Sequence, residues 1–109
     1  MLDKFEAINE TDTNGNPTGG SVSGVGMSIC WQAGPLGRDA DRRPPNGAFV
    51  ETVIAAALQR IQFYQEASNG RFKCRENAVA ITKLEEALMW LNKRTAEREA
   101  RQVEGTHSA

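Results

Sequence analysis

The stretch that decides the fold is CRENAVAITKLEEALMWLNKRTAEREAR, Cys74 to Arg101. Asn77, Leu84, Leu91 and Arg98 recur every seven residues, and Ile81, Leu88 and Thr95 recur every seven between them. Steps of four and three keep these positions on one face of an α-helix. The middle of that face is apolar. Its ends are polar, with Asn77 at one end and Thr95 and Arg98 at the other. A helix that only packs has no need of a guanidinium there. The pattern predicts a groove whose floor is apolar and whose ends hydrogen-bond something.

Upstream lies a second helical pattern, Ala48 to about Ala67. Val50, Ile54, Ala57, Ile61 and Tyr64 form its stripe, widened by Phe49, Val53 and Phe63. Ser68-Asn69-Gly70 follows, and Gly70 is a natural left-handed helix terminator. The long helix is then expected from near Lys73 to about Gln102, with Gly105 stopping it. Two helices joined by a short turn are expected to lie antiparallel. About 20 residues span roughly 30 Å and about 30 span roughly 45 Å, so the longer helix overhangs its partner. Apolar residues on an overhang need a cover, and another subunit is the simplest one.

The N-terminal third reads differently. Leu2 to Asn9 reads as a short strand. SVSGVGMSICWQ, Ser21 to Gln32, alternates with Val25, Met27, Ile29 and Trp31 on one side, the signature of a half-buried strand. The intervening TDTNGNPTGG holds only turn formers, which predicts a β-hairpin with a long loop. A lone hairpin is marginal in water and must lie on something or pair with another copy. AGPLGRDADRRPPNG reads as a linker held extended by Pro44 and Pro45, with Asn46 placed to cap the next helix. The expected organisation is a β-hairpin region over 1–33, a linker over 34–47, a helical hairpin over 48–103 and a tail over 104–109. All four form one domain of the α+β class.

Composition narrows the function. At 109 residues the core is modest, aromatics are few, and a thin core of this kind gains from self-association. The net charge is −1, but it is unevenly spread. Residues 1–20 carry Asp3, Glu6, Glu10 and Asp12 against Lys4, and residues 71–101 carry eight Lys or Arg against five Glu. That surplus is too mild for a nucleic-acid binder and suits recognition of a small anion by a few Arg. No apolar stretch approaches the ~20 residues of a membrane helix, and MLDKFEAINE lacks the layout of a signal peptide. A cytosolic location with Cys30 and Cys74 reduced is expected.

Catalytic chemistry finds little support in the residues. The one histidine, His107, falls in the tail, where no rigid, oriented imidazole is expected. Two cysteines without partner histidines do not make a metal site. Glu85 and Glu86 are adjacent and point about 100° apart on a helix, as on a solvated face. The glycines of NGNPTGGSVSGVG precede a strand and lack the lysine of a phosphate loop, so they read as a flexible turn. No enzyme, no cofactor and no metal is expected.

Several residues keep two readings. Asn77 is either a register-setting amide in a helix pair or a group that pairs with a ligand's base or ribose. Arg94 and Arg98, 17 and 21 residues beyond Asn77, are either cations favoured near a helix C-terminus or a pair of forks for phosphate oxygens. If two long helices cross in a dimer, these arginines approach Asn77 of another chain. Phe63 and Tyr64 are core residues or a stacking platform for a purine. Trp31 and Trp90 read as packing residues. Arg38, Arg42 and Arg43 lie in the linker, either solvated or able to close over a ligand.

Taken as a string, CRENAVAITKLEEALMWLNKRTAEREARQVEGTH resembles the helical-hairpin domain of bacteriophage anti-defence sponge proteins, which sequester the cyclic nucleotide signals of bacterial immune systems. Cys-Arg-Glu-Asn, Thr-Lys-Leu-Glu-Glu-Ala-Leu, Arg-Thr and Val-Glu-Gly-Thr-His carry the resemblance, which covers about residues 46–107. One branch of these proteins, anti-CBASS, is essentially all helical and binds cyclic oligonucleotides. The other, anti-Thoeris, has an N-terminal β-region and binds glyco-cyclic ADP-ribose isomers, some members also taking cyclic di- and trinucleotides at separate sites. The hairpin at Leu2 to Gln32 and the sequel GPLGR…PNGAFVE resemble the second branch.

The resemblance implies residue roles. Asn77, Arg94 and Arg98 match a cyclic ADP-ribose pocket, and Arg38 matches an N-terminal arginine of it. An aromatic near the end of the first helix stacks on adenine; Phe63, Tyr64 and Phe72 compete for that place, and Tyr64 is chosen. Gly105 and Thr106 would belong to a second, cyclic-oligonucleotide site where chains meet. The partners implied are a cyclic nucleotide signal and further copies of the chain in a dimer-based hexamer, with no nucleic acid and no membrane. The implied location is the cytoplasm of the infected bacterial host.

Overall fold

The computed structural model describes residues 2–109. Three strands come first: β1 (Phe5–Thr11), β2 (Pro17–Gly24) and β3 (Met27–Cys30). Two helices follow, α1 (Val50–Gly70) and α2 (Arg75–Ala100), which makes the chain α+β as its sequence implies. The residues fall into two compact units. One holds the chain up to Phe49 together with Arg98–Ala109, and the other is Val50–Glu97.

In the first unit the strands form an antiparallel sheet in the order β1-β2-β3. The expected two-stranded hairpin is therefore corrected in two places. Pro17 to Gly20, read as part of the turn, enters β2, and the run expected as one strand from Ser21 breaks at Gly24-Val25-Gly26. Val25 stands 91% exposed in that tight turn, away from any core-facing register. The loop between β1 and β2 is short and ordered by Asp12. Its carboxylate accepts the backbone N–H of Asn14 at 2.8 Å and of Asn16 at 2.9 Å, and the Asn16 side-chain amide at 3.2 Å. The bond from the Asn16 backbone N–H is the main reason the Asp12 carboxyl lies below the usual carboxylate range. β1 is an exposed edge strand carrying Glu6 and Glu10, charges that discourage edge-to-edge pairing.

Beyond β3 the chain folds back on the sheet end. Trp31 bridges to Ala48 in parallel; the Ala48 N–H donates to the Cys30 carbonyl at 2.7 Å and the Gln32 N–H to Ala48 at 2.9 Å. Asn46 does not cap a helix. Its Oδ1 accepts the Ala33 N–H at 2.9 Å, while its own N–H donates to Gln32 Oε1 at 2.8 Å. The segment expected to be extended also closes on itself through a short 3-10 turn at Asp39–Asp41 and a bond from the Arg43 N–H to Leu36 at 2.7 Å.

In the second unit α1 is regular through Glu66. Ala67 then leaves helical geometry, and Ser68, Asn69 and Gly70 all take positive φ, so the break runs over four residues with Gly70 as its last. The turn is closed by a side chain that the sequence did not advertise. Gln65 Oε1 accepts the Cys74 N–H at 2.9 Å and its Nε2 donates to the Cys74 carbonyl at 3.1 Å. Cys30 and Cys74 are both free and exposed. No described helix is long and apolar enough to cross a membrane.

The half-buried positions of α2 are Asn77, Ala80, Ile81, Leu84, Ala87, Leu88, Leu91 and Thr95. They trace one face, the seam its heptad spacing predicts. On α1 the half-buried positions include Val53, Ile54, Leu58, Ile61, Gln62 and Gln65, while Val50, Ala57, Phe63 and Tyr64 are exposed. The stripe is thus rotated by about a residue from the expected one. Among the described residues no apolar side chain is fully buried. Trp90, expected to pack, is 59% exposed, with the Lys93 ammonium 5.4 Å from its ring.

Candidate functional site

The helical unit carries three of the expected site residues. Asn77 lies in the first turns of α2, half-buried at the N-terminal end of the seam. Arg94 lies near its other end, exposed, and makes no ion pair or hydrogen bond among the described residues. Seventeen residues of helix separate them by roughly 25 Å, so one straight helix does not bring them to a common ligand. Tyr64 lies on α1, 42% exposed, and Phe63 beside it is 46% exposed. The two rings sit 6.1 Å apart, tilted by 53°.

Arg60 joins this pair, and the sequence reading missed it. Its guanidinium lies 4.9 Å from the centre of the Tyr64 ring and 5.1 Å from that of Phe63, and its Nε donates to the Tyr64 hydroxyl at 3.1 Å. The spacing of four residues is the available signal, because it stacks Arg60 and Tyr64 on one helix face. Phe72, the rival aromatic, is 56% exposed in the turn with Arg71 over its ring.

The first unit carries the others. Arg98 lies in the last turn of α2 and is 9% exposed, the one buried charged group among the described residues. Its two terminal nitrogens donate to the carbonyls of Val103 at 3.1 Å, Thr106 at 2.9 Å, Ser108, and Ala109 at 3.3 Å. One of the two sequence readings makes Arg98, with Arg94, a fork for phosphate oxygens. In one chain its guanidinium is instead engaged by the tail. A cation at a helix C-terminus gives the same sequence signal in either role.

The tail, expected to fray, is accordingly folded. The Val103 N–H donates back to the Arg98 carbonyl at 2.9 Å and the Thr106 N–H to Val103 at 3.1 Å. Arg101 adds a bond to Ala109 at 2.7 Å. The Gly37 N–H donates to the Gly105 carbonyl at 2.9 Å. Gly105 has φ +79°, and a Cβ there would stand 2.4 Å from the Gly37 oxygen, so only glycine fits. His107 remains exposed.

Arg42, from the loop after the 3-10 turn, meets both carboxylate oxygens of Glu104, the second contact being 3.1 Å. This hydrogen-bonded pair holds the Glu104 carboxyl below its usual range, with Arg98 and Arg38 adding to the effect, and raises Arg42. Arg38, Asp39, Arg42, Glu99, Gln102 and Glu104 line a polar cleft of about 210 Å³. So the structure groups Arg38, Arg98, Gly105 and Thr106 in one unit, and Tyr64, Asn77 and Arg94 in the other. Among the described residues no cluster of His, Cys, Asp or Glu is arranged to hold a metal ion.

Comparison with known proteins places these features. A relative from Bacillus phage SBSphiJ7, named Thoeris anti-defense 1, is 55% identical over 80 residues, which is 73% of this chain and 51% of the relative. The chain thus spans about half the length of that curated relative. The model of the Acb2/Tad1 hairpin domain matches residues 31–96, more than half of the chain. With the turn, the loop before α1 and the seam up to Thr95 inside the matched range, the chain belongs to the Acb2/Tad1 hairpin-domain family.

Proposed function

We propose that this chain is a phage anti-defence sponge, which binds and sequesters cyclic nucleotide immune signals without cleaving them. The relative's name, Thoeris anti-defense 1, supports the anti-defence part of the reading. The ligands proposed are glyco-cyclic ADP-ribose isomers, with cyclic di- or trinucleotides at a second site. The place of action is the cytoplasm of the infected bacterial host.

The observation that carries the reading is the α2 face, apolar and half-buried in its middle, with Asn77 at one end and Arg94 and Arg98 at the other. Roughly 25 Å of helix lies between those ends, which is too far for one small ligand. Two copies of α2 crossing antiparallel remove the difficulty. Setting Asn77 of one copy against Arg94 to Arg98 of the other puts the crossing midway, at residues 85–88. Ala87 and Leu88 lie there and Leu84 adjoins them, all half-buried with apolar surface still open. Each Å² of apolar surface then covered contributes about 25 cal/mol. The same crossing builds two equivalent sites, because such a dimer is two-fold symmetric. Assembly continues to a dimer-based hexamer.

In each site Arg94 neutralises pyrophosphate with its open fork, and Arg98 stands at the same end, holding the tail. Asn77 fixes a base or ribose edge. Tyr64 stacks on adenine, oriented by Arg60, and Arg38 is the further arginine proposed for ligand binding. Gly105 and Thr106 serve the second site. A preformed aromatic platform slows release, which a stoichiometric sponge needs.

Calorimetry with cyclic ADP-ribose isomers and cyclic dinucleotides tests the reading, followed by heating and chromatography of the released ligand. Tight binding with intact ligand returned is expected. A cleaved product would make the protein a hydrolase. Absence of binding to every one of these ligands would leave a structural assembly protein.

A further inference from the structure

The loop and the tail meet through a contact that the proposed ligand roles do not use. Arg42 and Glu104 are 62 positions apart in sequence, yet both guanidinium nitrogens of the fork reach both carboxylate oxygens. Beside the pair, the Gly37 N–H donates to the Gly105 carbonyl at 2.9 Å. A Cβ on Gly105 would lie 3.2 Å from Arg42 Nη1, so the tip of Arg42 lies close over Gly105 itself. The same segment is also gripped by Arg98, through the carbonyls of Val103 and Thr106. Val103 to Thr106 is therefore held by two guanidinium groups, one buried and one at the surface. We infer that Arg42 and Glu104 are positioning residues, whose ion pair fixes Val103–Thr106 against the 37–42 loop and so sets the backbone at Gly105 and Thr106.

The geometry of this pair carries more than its charge. A bidentate fork constrains orientation as well as distance, which a lysine in place of Arg42 would not do. Arg38 begins the same 3-10 turn and lines the same cleft as the pair. The pair is thus a shared wall between Arg38 and the tail, two elements to which the proposed function assigns different ligands. Loss of the clamp would disturb both, and would leave the Asp12 turn and the sheet alone. The consequence for ligands rests on the proposed reading of Gly105 and Thr106 as a nucleotide site; the positioning of the backbone does not.

The test uses the full chain in four forms: unaltered, Arg42→Gln, Glu104→Gln, and the exchanged pair Arg42→Glu with Glu104→Arg. Amide hydrogen exchange is read at Gly37, whose N–H reports the loop-to-tail bond, and at Trp31, whose N–H bonds to Gly20 in the sheet. Calorimetry with a cyclic trinucleotide of adenylate is run on the same samples. Each single variant is expected to speed Gly37 exchange and weaken the trinucleotide by about fivefold, with Trp31 unchanged. The exchanged pair is expected to recover both readouts in good part. Unchanged Gly37 exchange in both single variants would overturn the inference, and so would an exchanged pair no better than the singles. If the unaltered chain binds no trinucleotide, the second-site reading fails, and Gly37 exchange alone still decides the clamp.

Discussion

The loop-and-tail cluster and the helical unit meet opposite demands with the same few residue types. In the cluster, around residues 36–43 and 98–109, polar groups find partners within the chain: Arg98 on four carbonyls, Arg42 on Glu104, Gly105 on Gly37. Among the described residues no buried side-chain nitrogen or oxygen is left without a partner. In the helical unit the apolar face of α2 is formed but half-covered, and Arg94 has no partner among the described residues. The first region is complete in one chain. The second keeps an apolar face half-covered and a guanidinium without a partner, which the proposed assembly would cover and use. Two arginines four residues apart on one helix, Arg94 and Arg98, fall on opposite sides of this divide.

The comparison breaks first at the seam. Leu88→Asp sets a carboxylate at the proposed crossing point, where burying an unpaired charge costs about 3 kcal/mol or more. Self-association read by sedimentation velocity is expected to weaken at least about a hundredfold. An assembly that survives the substitution would show that the seam is covered by something other than a second α2.

Next in size is Arg98→Ala. It leaves the carbonyls of Val103, Thr106, Ser108 and Ala109 without their shared donor. A stability loss of about 2 kcal/mol is expected in urea unfolding, together with loss of amide protection at Val103 and Thr106. Retained protection there would mean that Arg42–Glu104 and Gly37 hold the tail unaided.

The smallest effect concerns pH. Glu104 ionises more readily in the folded chain than in an unfolded one, chiefly through its bonds to Arg42. Its contribution is therefore complete above the ordinary glutamate value and fades as pH falls through the lowered one, on the acid side of about pH 4. Arg42 keeps its charge throughout that range. Amide shifts of Gly105 and Thr106 are expected to move in acid as the pair opens, and to lose that step in Glu104→Gln.

The α2 seam was legible because a heptad repeat fixes a helix face without help from the rest of the chain. The alternation after Ser21 was legible as β-structure for the same reason. Its interruption was not, because Gly24 and Gly26 fall on the small-residue side of a perfect alternation and hide the turn between them. Asn46 carries the signature of a helix cap and is used instead across the chain by Ala33 and Gln32. Gln65 gives no local signal, since its partner lies nine residues on, across a turn. Of the proposed site, Asn77 stood out by its place at the end of the seam, whereas Arg94 was singled out only as a cation one turn from Arg98 and by the family resemblance. The engagement of Arg98 by the tail, and the Arg42–Glu104 pair across 62 positions, were invisible because periodicity reports only a residue's own helix.

Mixing two defective variants tests the central claim, that one site is shared between copies of α2. Asn77→Ala and Arg94→Ala are prepared separately, each expected to lose cyclic ADP-ribose-isomer affinity by at least about tenfold. They are then unfolded together, refolded, and titrated by calorimetry. A shared site predicts that a mixed dimer recovers one intact site, with Asn77 from one chain and Arg94 from the other, so that unaltered affinity returns at a reduced stoichiometry. No recovery on mixing, with mixed dimers confirmed by mass, would contradict the account.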